Sequence, residues 1–352
     1  MKVSLFRFLI ISAIACFASA ATSCSPDRAT TRKEWGELND AEKMDYINAV
    51  WCLRNRPSVL PNEEFPGVQD RFDDFVATHI NYTNVVHNNG LLLPWHRHFL
   101  LLWETTLREE CGYRGTVPYW NWALFTDNIS SSPVLDGSAT SLSGNGEYDP
   151  NEPDLCNVKG ECLPRGTGGG CVHSGPFKYF PVHMKPLDNT LAMPYVPIPT
   201  YAFDYNPRCL SRSLNPIIVS LLNNQSQIDQ LQAAPDINEF LKVMEPSEYT
   251  DMGVHGGGHH AVGGVMGNLF TSTQDPIFML HHAMVDRMWD QWQEQDPANR
   301  RYALNGTAII YNPPDAPLVT VDTVVEFGVL DSPKTVKELM DPRDYGFCYV
   351  YT

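Results

Sequence analysis

The stretch "VHGGGHHAVGG" at residues 254–264 decides between two architectures. In many lipases and esterases a His followed by three glycines lends backbone N–H groups to an oxyanion hole, and such an enzyme also needs a G-x-S-x-G nucleophile elbow. The chain contains no such elbow. The other reading is metal binding. His255 and His259 stand four residues apart, so on a helix they leave from one face and can grip one ion. That reading asks for a helical scaffold and for more histidines.

Both are present. Of the eleven histidines, His79, His87, His96 and His98 form one cluster, and His255, His259, His260, His281 and His282 form a second. His173 and His183 stand outside and read as ordinary hydrogen-bonded residues. The clusters fall on segments with helical patterning. "PWHRHFLLLWETTLREECG" has Pro94 suited to a first helical position and Gly112 to a stop. "DPIFMLHHAMVDRMWDQWQEQ" at 275–295 is a second such helix, and Asn39 with Glu42 begins a third through a capping box. Residues 127–210, dense in Gly, Pro, Ser and Asn, read as a long surface loop pinned by cysteines. "PLVTVDTVVEF" near the end alternates like a strand. The expected fold is mainly α: a helical-bundle core with long loops and a few short strands, without internal repeats.

The first twenty residues carry Lys2 and Arg7, a short apolar run and Ala18-x-Ala20, which is the pattern of a secretory signal peptide rather than a membrane span. Residues 21–352 are expected to form a single domain. Eight cysteines follow the leader, namely Cys24, Cys52, Cys111, Cys156, Cys162, Cys171, Cys209 and Cys348. An even set in a secreted chain suggests up to four disulfides, with the pairing open. Sequons at Asn81, Asn128, Asn224 and Asn305 fit the same extracellular compartment. A net charge of −16 argues against a nucleic-acid partner.

Imidazole suits zinc, copper, iron and nickel alike. A zinc protease of the H-E-x-x-H type needs Glu directly after the first His, and this chain has Gly256 there. Two all-imidazole triads without thiolate or carboxylate suit a pair of copper ions that cycle between Cu(I) and Cu(II) and bind dioxygen.

With "HNNGLLLPWHRHFLLLWE", "PYWNW", "HGGGH" and "DPIFMLHHAMVDRMWDQWQ" in place, the chain resembles the tyrosinase, catechol oxidase and haemocyanin superfamily of type-3 copper proteins. It looks most like the short secreted tyrosinase-like oxidases of filamentous fungi, specifically over roughly residues 70–125 and 250–300. The resemblance implies a first copper held by His79, His87 and His96, and a second by His255, His259 and one of His281 and His282. His282 is the expected ligand, because it precedes Asp286 by four residues as family ligands do, and Asp286 is expected to return toward it as support. His98 points to another helix face. Phe278 is expected to pack on a ligand imidazole, and Trp95, Trp120, Trp122 and Trp289 to fill the core. The glycan of Asn81 would point away from the metal.

The implied activity is the oxidation of o-diphenols to o-quinones with dioxygen, the partners being a small phenolic substrate and dioxygen. Several positions bear on its scope. Family tyrosinases often carry an Asn directly after the first ligand of the second copper, helping a Glu hold a basic water. Here Gly256 has no side chain to do so, and the Glu is either Glu245 or Glu248. His260, beside ligand His259, reads either as a base that accepts a phenolic proton or as a residue that shapes the entrance. Leu269, thirteen residues before His282, falls where relatives gate access to the coppers. Val85 replaces the cysteine that many fungal relatives join to a histidine, so no thioether is expected. The ending "YVYT", with Tyr349 and Tyr351, resembles the family's Tyr-x-Tyr close of the core and leaves little chain for a C-terminal lid. The glycines between His255 and His259 read as a close approach or as a backbone that needs their freedom. A haemocyanin-like oxygen carrier is the main rival reading, and a hydrolytic zinc enzyme the weaker one.

Overall fold

The structure, a computed structural model, describes residues 24–25, 27–156, 159–246 and 252–352. The expected signal peptide lies outside the described residues, and so does Glu248. Among the described residues, eight α-helices longer than four residues order the chain: α1 (Asp40–Leu53), α2 (Arg71–Val86), α3 (Leu92–Cys111), α4 (Pro216–Leu222), α5 (Gln225–Ala233), α6 (Ile237–Met244), α7 (Gly253–Val262) and α8 (Phe278–Glu294), with a single turn at Pro297–Arg300 after them. α3 packs on both α2 and α8, and α8 on α7, so these four surround the centre of the molecule.

Local sequence explains where the helices begin and end. Asn39 caps α1, and Glu42 returns the bond in the expected capping box. Asp70 caps α2 by accepting from Asp73 N, while Asp73 and Asp74 sit in its first turn, where the helix dipole favours negative charge. α3 runs until Gly112, whose φ of 69° supplies the left-handed stop. Inside, Trp35, Trp95, Trp103, Trp120, Trp122, Trp289 and Trp292 are fully buried. Large rigid rings thus fill the space between helices, as expected for four of them.

Two expectations need correction. Residues 127–210 are more than a surface loop: Val172, Phe177, Phe180, Val182 and Met184 are buried in the common core. Short strands at Pro181–Met184 and Tyr205–Cys209 pair there, because buried backbone must find partners even where helix formers are absent. The alternating segment 317–327 makes only the two-residue strand Val324–Val325, paired with Lys334–Thr335. Its buried Val319, Val325 and Phe327 follow the alternation, but no neighbouring strand is long enough to extend the ladder.

The eight cysteines among the described residues all pair, as Cys24–Cys348, Cys52–Cys111, Cys156–Cys162 and Cys171–Cys209. The first and last described strands meet: Thr30–Arg32 pairs in parallel with Tyr349–Tyr351, next to the Cys24–Cys348 bridge. Among the described residues no helix is long and apolar enough to cross a membrane. Asn81 is exposed on α2.

Candidate metal centre

α2 contributes His79 and, at its C-terminal cap, His87; α3 contributes His96. α7 contributes His255 and His259, and α8 contributes His281 and His282. The seven rings form two groups, His79–His87–His96 and His255–His259–His281–His282, in each of which one ligand atom per residue lies within 4.8 Å of the others. The groups face each other: His96 stacks on His282 with ring centroids 4.2 Å apart. Every one of these histidines is at most 8% exposed.

Hydrogen bonds decide which ring nitrogen carries the proton. Nδ1 of His79 meets the carbonyl of Phe270 at 3.0 Å, Nδ1 of His87 that of Thr83 at 3.0 Å, Nδ1 of His96 that of Leu92 at 2.8 Å and Nδ1 of His259 that of Met266 at 3.0 Å. A carbonyl only accepts, so each Nδ1 donates and each neutral ring keeps its lone pair on Nε2. Nδ1 of His255 meets Glu245 Oε1 at 3.0 Å. A carboxylate, too, accepts, so His255 has the same orientation.

The inward Nε2 atoms have no protein donor to meet. Those of His79 and His96 are buried without a partner. Nε2 of His259 lies 3.1 Å from that of His255 and 3.3 Å from that of His282, and His255 and His282 approach to 3.4 Å. Lone pairs directed at each other repel unless a cation lies between them. Burial, with neighbouring imidazoles as a second cause, lowers the pKa of His79, His96, His259 and His282 well below the usual histidine value. Burial lowers His87 to about 4. These rings are therefore neutral at physiological pH, as a metal ligand must be.

His281 is held differently. Trp122 Nε1 can only donate, and it reaches His281 Nδ1 at 3.1 Å. The lone pair of His281 is therefore engaged on Nδ1 and its proton sits on Nε2. The role of Trp122 was not legible beyond core packing, since the two residues are far apart in sequence.

The structure also places the residues around the histidines. Phe278 stacks on His282 at 4.2 Å and meets His79 edge-on at 5.1 Å, as expected. His98 is outside the cluster and bonds Asp331 at 2.8 Å. His183 bonds Asp73 at 2.6 Å. His183, Asp70 and Asp73 could group around an ion, but Arg54 Nη1 already occupies that position, 3.0 Å from Asp70 and 2.7 Å from Asp73. Glu245 uses both oxygens: beyond His255, its Oε2 accepts from Asn88 N at 2.6 Å. It thereby ties a residue beside His87 to the second group.

Asp286 corrects an expectation, because it makes no hydrogen bond to His282. It accepts from Arg97 Nε at 2.6 Å and from the hydroxyls of Tyr349 and Tyr351, each at 2.6 Å. Helix side chains lean toward the N-terminus, so His282 leans away from the following turn while Asp286 meets Arg97 of α3. Burial would raise the Asp286 pKa, but Arg97 and Arg32 outweigh it and hold the carboxylate below its usual range. The Tyr-x-Tyr ending is thus bound to α8 through Asp286.

The glycines of α7 differ from one another. A Cβ on Gly258 would lie 2.2 Å from His281 Cε1, and one on Gly257 2.7 Å from Leu222 Cβ. On Gly256 it would meet only Met252 within 4 Å, at 3.1 Å. Close approach therefore explains Gly257 and Gly258, while Gly256 stands at a half-exposed position. His260 is half-exposed too, yet burial of its ring, with His255 nearby, lowers its pKa to about 4. Leu269 is half-buried in the segment that leads from α7 to the carbonyl of Phe270.

A helical bundle that presents two facing groups of buried histidines, with the Nε2 atoms of His79, His87, His96, His255 and His259 turned inward, defines a binuclear metal protein of the type-3 copper class. The model of the common central domain of tyrosinase matches residues 69–295. N-acetyl-6-hydroxytryptophan oxidase ivoB of Emericella nidulans is 47% identical, over 97% of this chain and 99% of its own. Tyrosinase P of Aspergillus terreus is 46% identical, over 99% of both chains. A solved glycine-to-asparagine mutant of polyphenol oxidase from Thermothelomyces thermophila matches with a TM-score of 0.87 and 36% identity, over 94% of this chain and 90% of its own. The chain belongs to the tyrosinase family, and it is a copper-dependent phenol oxidase whose two histidine groups serve a pair of copper ions.

Proposed function

We propose that this enzyme is secreted and oxidises o-diphenols, or related phenols and o-aminophenols, to o-quinones, in the formation of a pigment or another secondary metabolite. Two diphenols and one dioxygen yield two quinones and two waters. The observation that carries this reading is the set of six inward imidazoles. The proposed ligands are His79, His87 and His96 for one copper, and His255, His259 and His282 for the other. His282 is preferred to His281 because its Nε2 converges with those of His255 and His259, whereas Trp122 engages the lone pair of His281. Held by these residues, a copper pair would supply the redox chemistry between diphenol and dioxygen.

The protein supplies the rest. The Nδ1 acceptors fix each imidazole, and the apolar wall around Phe278 keeps the site dry. Gly256, His260 and Leu269 form the accessible side, where a phenol would enter. With a pKa near 4, His260 is neutral at physiological pH but has little drive to take a phenolic proton. We therefore assign it to shaping the entrance. Both Glu245 oxygens are engaged, and Gly256 offers no second group for a basic water, which favours diphenol oxidation over monophenol hydroxylation. Four disulfides suit an oxidising compartment.

The test is oxygen uptake by copper-loaded protein, first with a simple catechol and then with the matching monophenol. Uptake with catechol alone is expected. A protein with two bound coppers and no uptake from either would overturn the reading in favour of an oxygen carrier.

A further inference from the structure

The segment 187–199, "LDNTLAMPYVPIP", is tied through its backbone to α2, which carries His79, and to the stretch before Phe270, and it supplies no member of either histidine group. It is docked at two points that adjoin the site. Asn268, next to Leu269, donates from Nδ2 to the carbonyl of Leu187 at 2.8 Å. Asn84, one turn before His87 on α2, donates from Nδ2 to the carbonyls of Leu191 and Val196, at 2.9 and 3.0 Å. Leu187 and Ala192 are buried beneath, while Pro194, Pro197 and Pro199 restrict the backbone above.

At the crest Tyr195 is 61% exposed and has a φ of 62°. A bulky residue in the left-handed region costs free energy, and a ring left in water returns little of it through burial. Its hydroxyl is nonetheless engaged by Asp315. The fold therefore holds an exposed aromatic ring on a left-handed backbone position, in a loop that Asn84 ties to a ligand helix.

We propose that Tyr195 is a specificity-determining residue: its ring is a platform for an aromatic portion of the substrate that extends beyond the copper pocket, with Asn84 as the positioning residue. This rests on the diphenol-oxidase reading, and it names the substrate class more closely as an o-diphenol that carries a second ring or a fused aromatic system. A rigid aromatic contributes contact area at low entropic cost.

The test compares catechol with a two-ring o-diphenol, in which a phenyl group is joined to the catechol by a short linker, on wild type, Tyr195→Gly and Tyr195→Phe. Glycine accepts the left-handed backbone, so Tyr195→Gly keeps the fold. Loss of the ring is expected to raise KM for the two-ring substrate about 3–10-fold with kcat unchanged, and to leave catechol kinetics unchanged. Tyr195→Phe, which keeps the ring, is expected to retain a wild-type KM. Equal changes for both substrates, or a change for neither, would overturn the proposal. A wild type inactive toward both diphenols would instead refute the underlying reading, and this inference with it.

Discussion

Trp122 donates its indole N–H to Nδ1 of His281 at 3.1 Å, and this bond separates the roles of two adjacent histidines on one helix. His281 becomes a wedge between Trp122 and the backbone of α7 at Gly258, while His282 turns its Nε2 to the second histidine group. His282→Ala should lower bound copper from about two per chain toward about one and abolish oxygen uptake, because three ligands become two. His281→Ala should retain two coppers. Metal analysis of the two purified variants decides; the reverse pattern would make His281 the ligand.

Glu245 holds His255 and Asn88 N together, each through one oxygen. In Glu245→Gln the amide offers one acceptor and one donor group, so one of the two N–H donors is left facing another donor. A lost partner behind a metal-bound imidazole typically costs 10–100-fold in metal affinity or activity. Copper titration against a competing chelator should show a loss in that range at one site only.

The α7 glycines should respond unequally. Gly258→Ala drives a Cβ into His281 and should destabilise the protein by about 1–3 kcal/mol. Gly256→Ala meets only Met252, at its Cβ 3.1 Å away, which must shift by a few tenths of an ångström, while it gains about 1 kcal/mol of helix propensity, so its stability should change little. Thermal melts of both copper-free variants check the contrast.

Acid should act on the histidine groups before it acts elsewhere in the core. The folded pKa values of His79, His87, His96, His259 and His282 lie below that of a free histidine, so the native state binds fewer protons than the unfolded one. The stability of the copper-free protein should be full above about pH 6.5. It should fall as pH drops through the 6-to-4 range and further below, as His87 passes about 4. Urea melts from pH 7.5 to 4 measure this, and flat stability across the range would contradict the burial argument.

Asp286 anchors the chain's end to its centre. Asp286→Asn leaves Arg97 and Arg32 buried without their shared charge, and removal of one partner from such a pair costs about 3–5 kcal/mol. The variant should melt well below wild type, yet bind two coppers at low temperature, because no hydrogen bond joins Asp286 to His282. Copper loss at temperatures where it is still folded would show that Asp286 acts on the metal site after all.

The sequence by itself determined the helical core, the two histidine clusters and their spacing on helices, because period, caps and ligand type are local properties. His255 and His259 share a helix face by arithmetic, and Asn39 with Glu42 caps α1 wherever that helix packs. Only the tertiary structure decided which nitrogen His79, His259 and His255 turn inward, since their acceptors come from Phe270, Met266 and Glu245 on other segments, whereas His87 and His96 use carbonyls four residues back. It likewise paired the eight cysteines, drew the Asp286 carboxylate to Arg97 rather than His282, and gave Trp122 its hold on His281. Those outcomes depend on which distant groups meet in a low-dielectric interior, where each buried donor or acceptor takes the partner that packing brings.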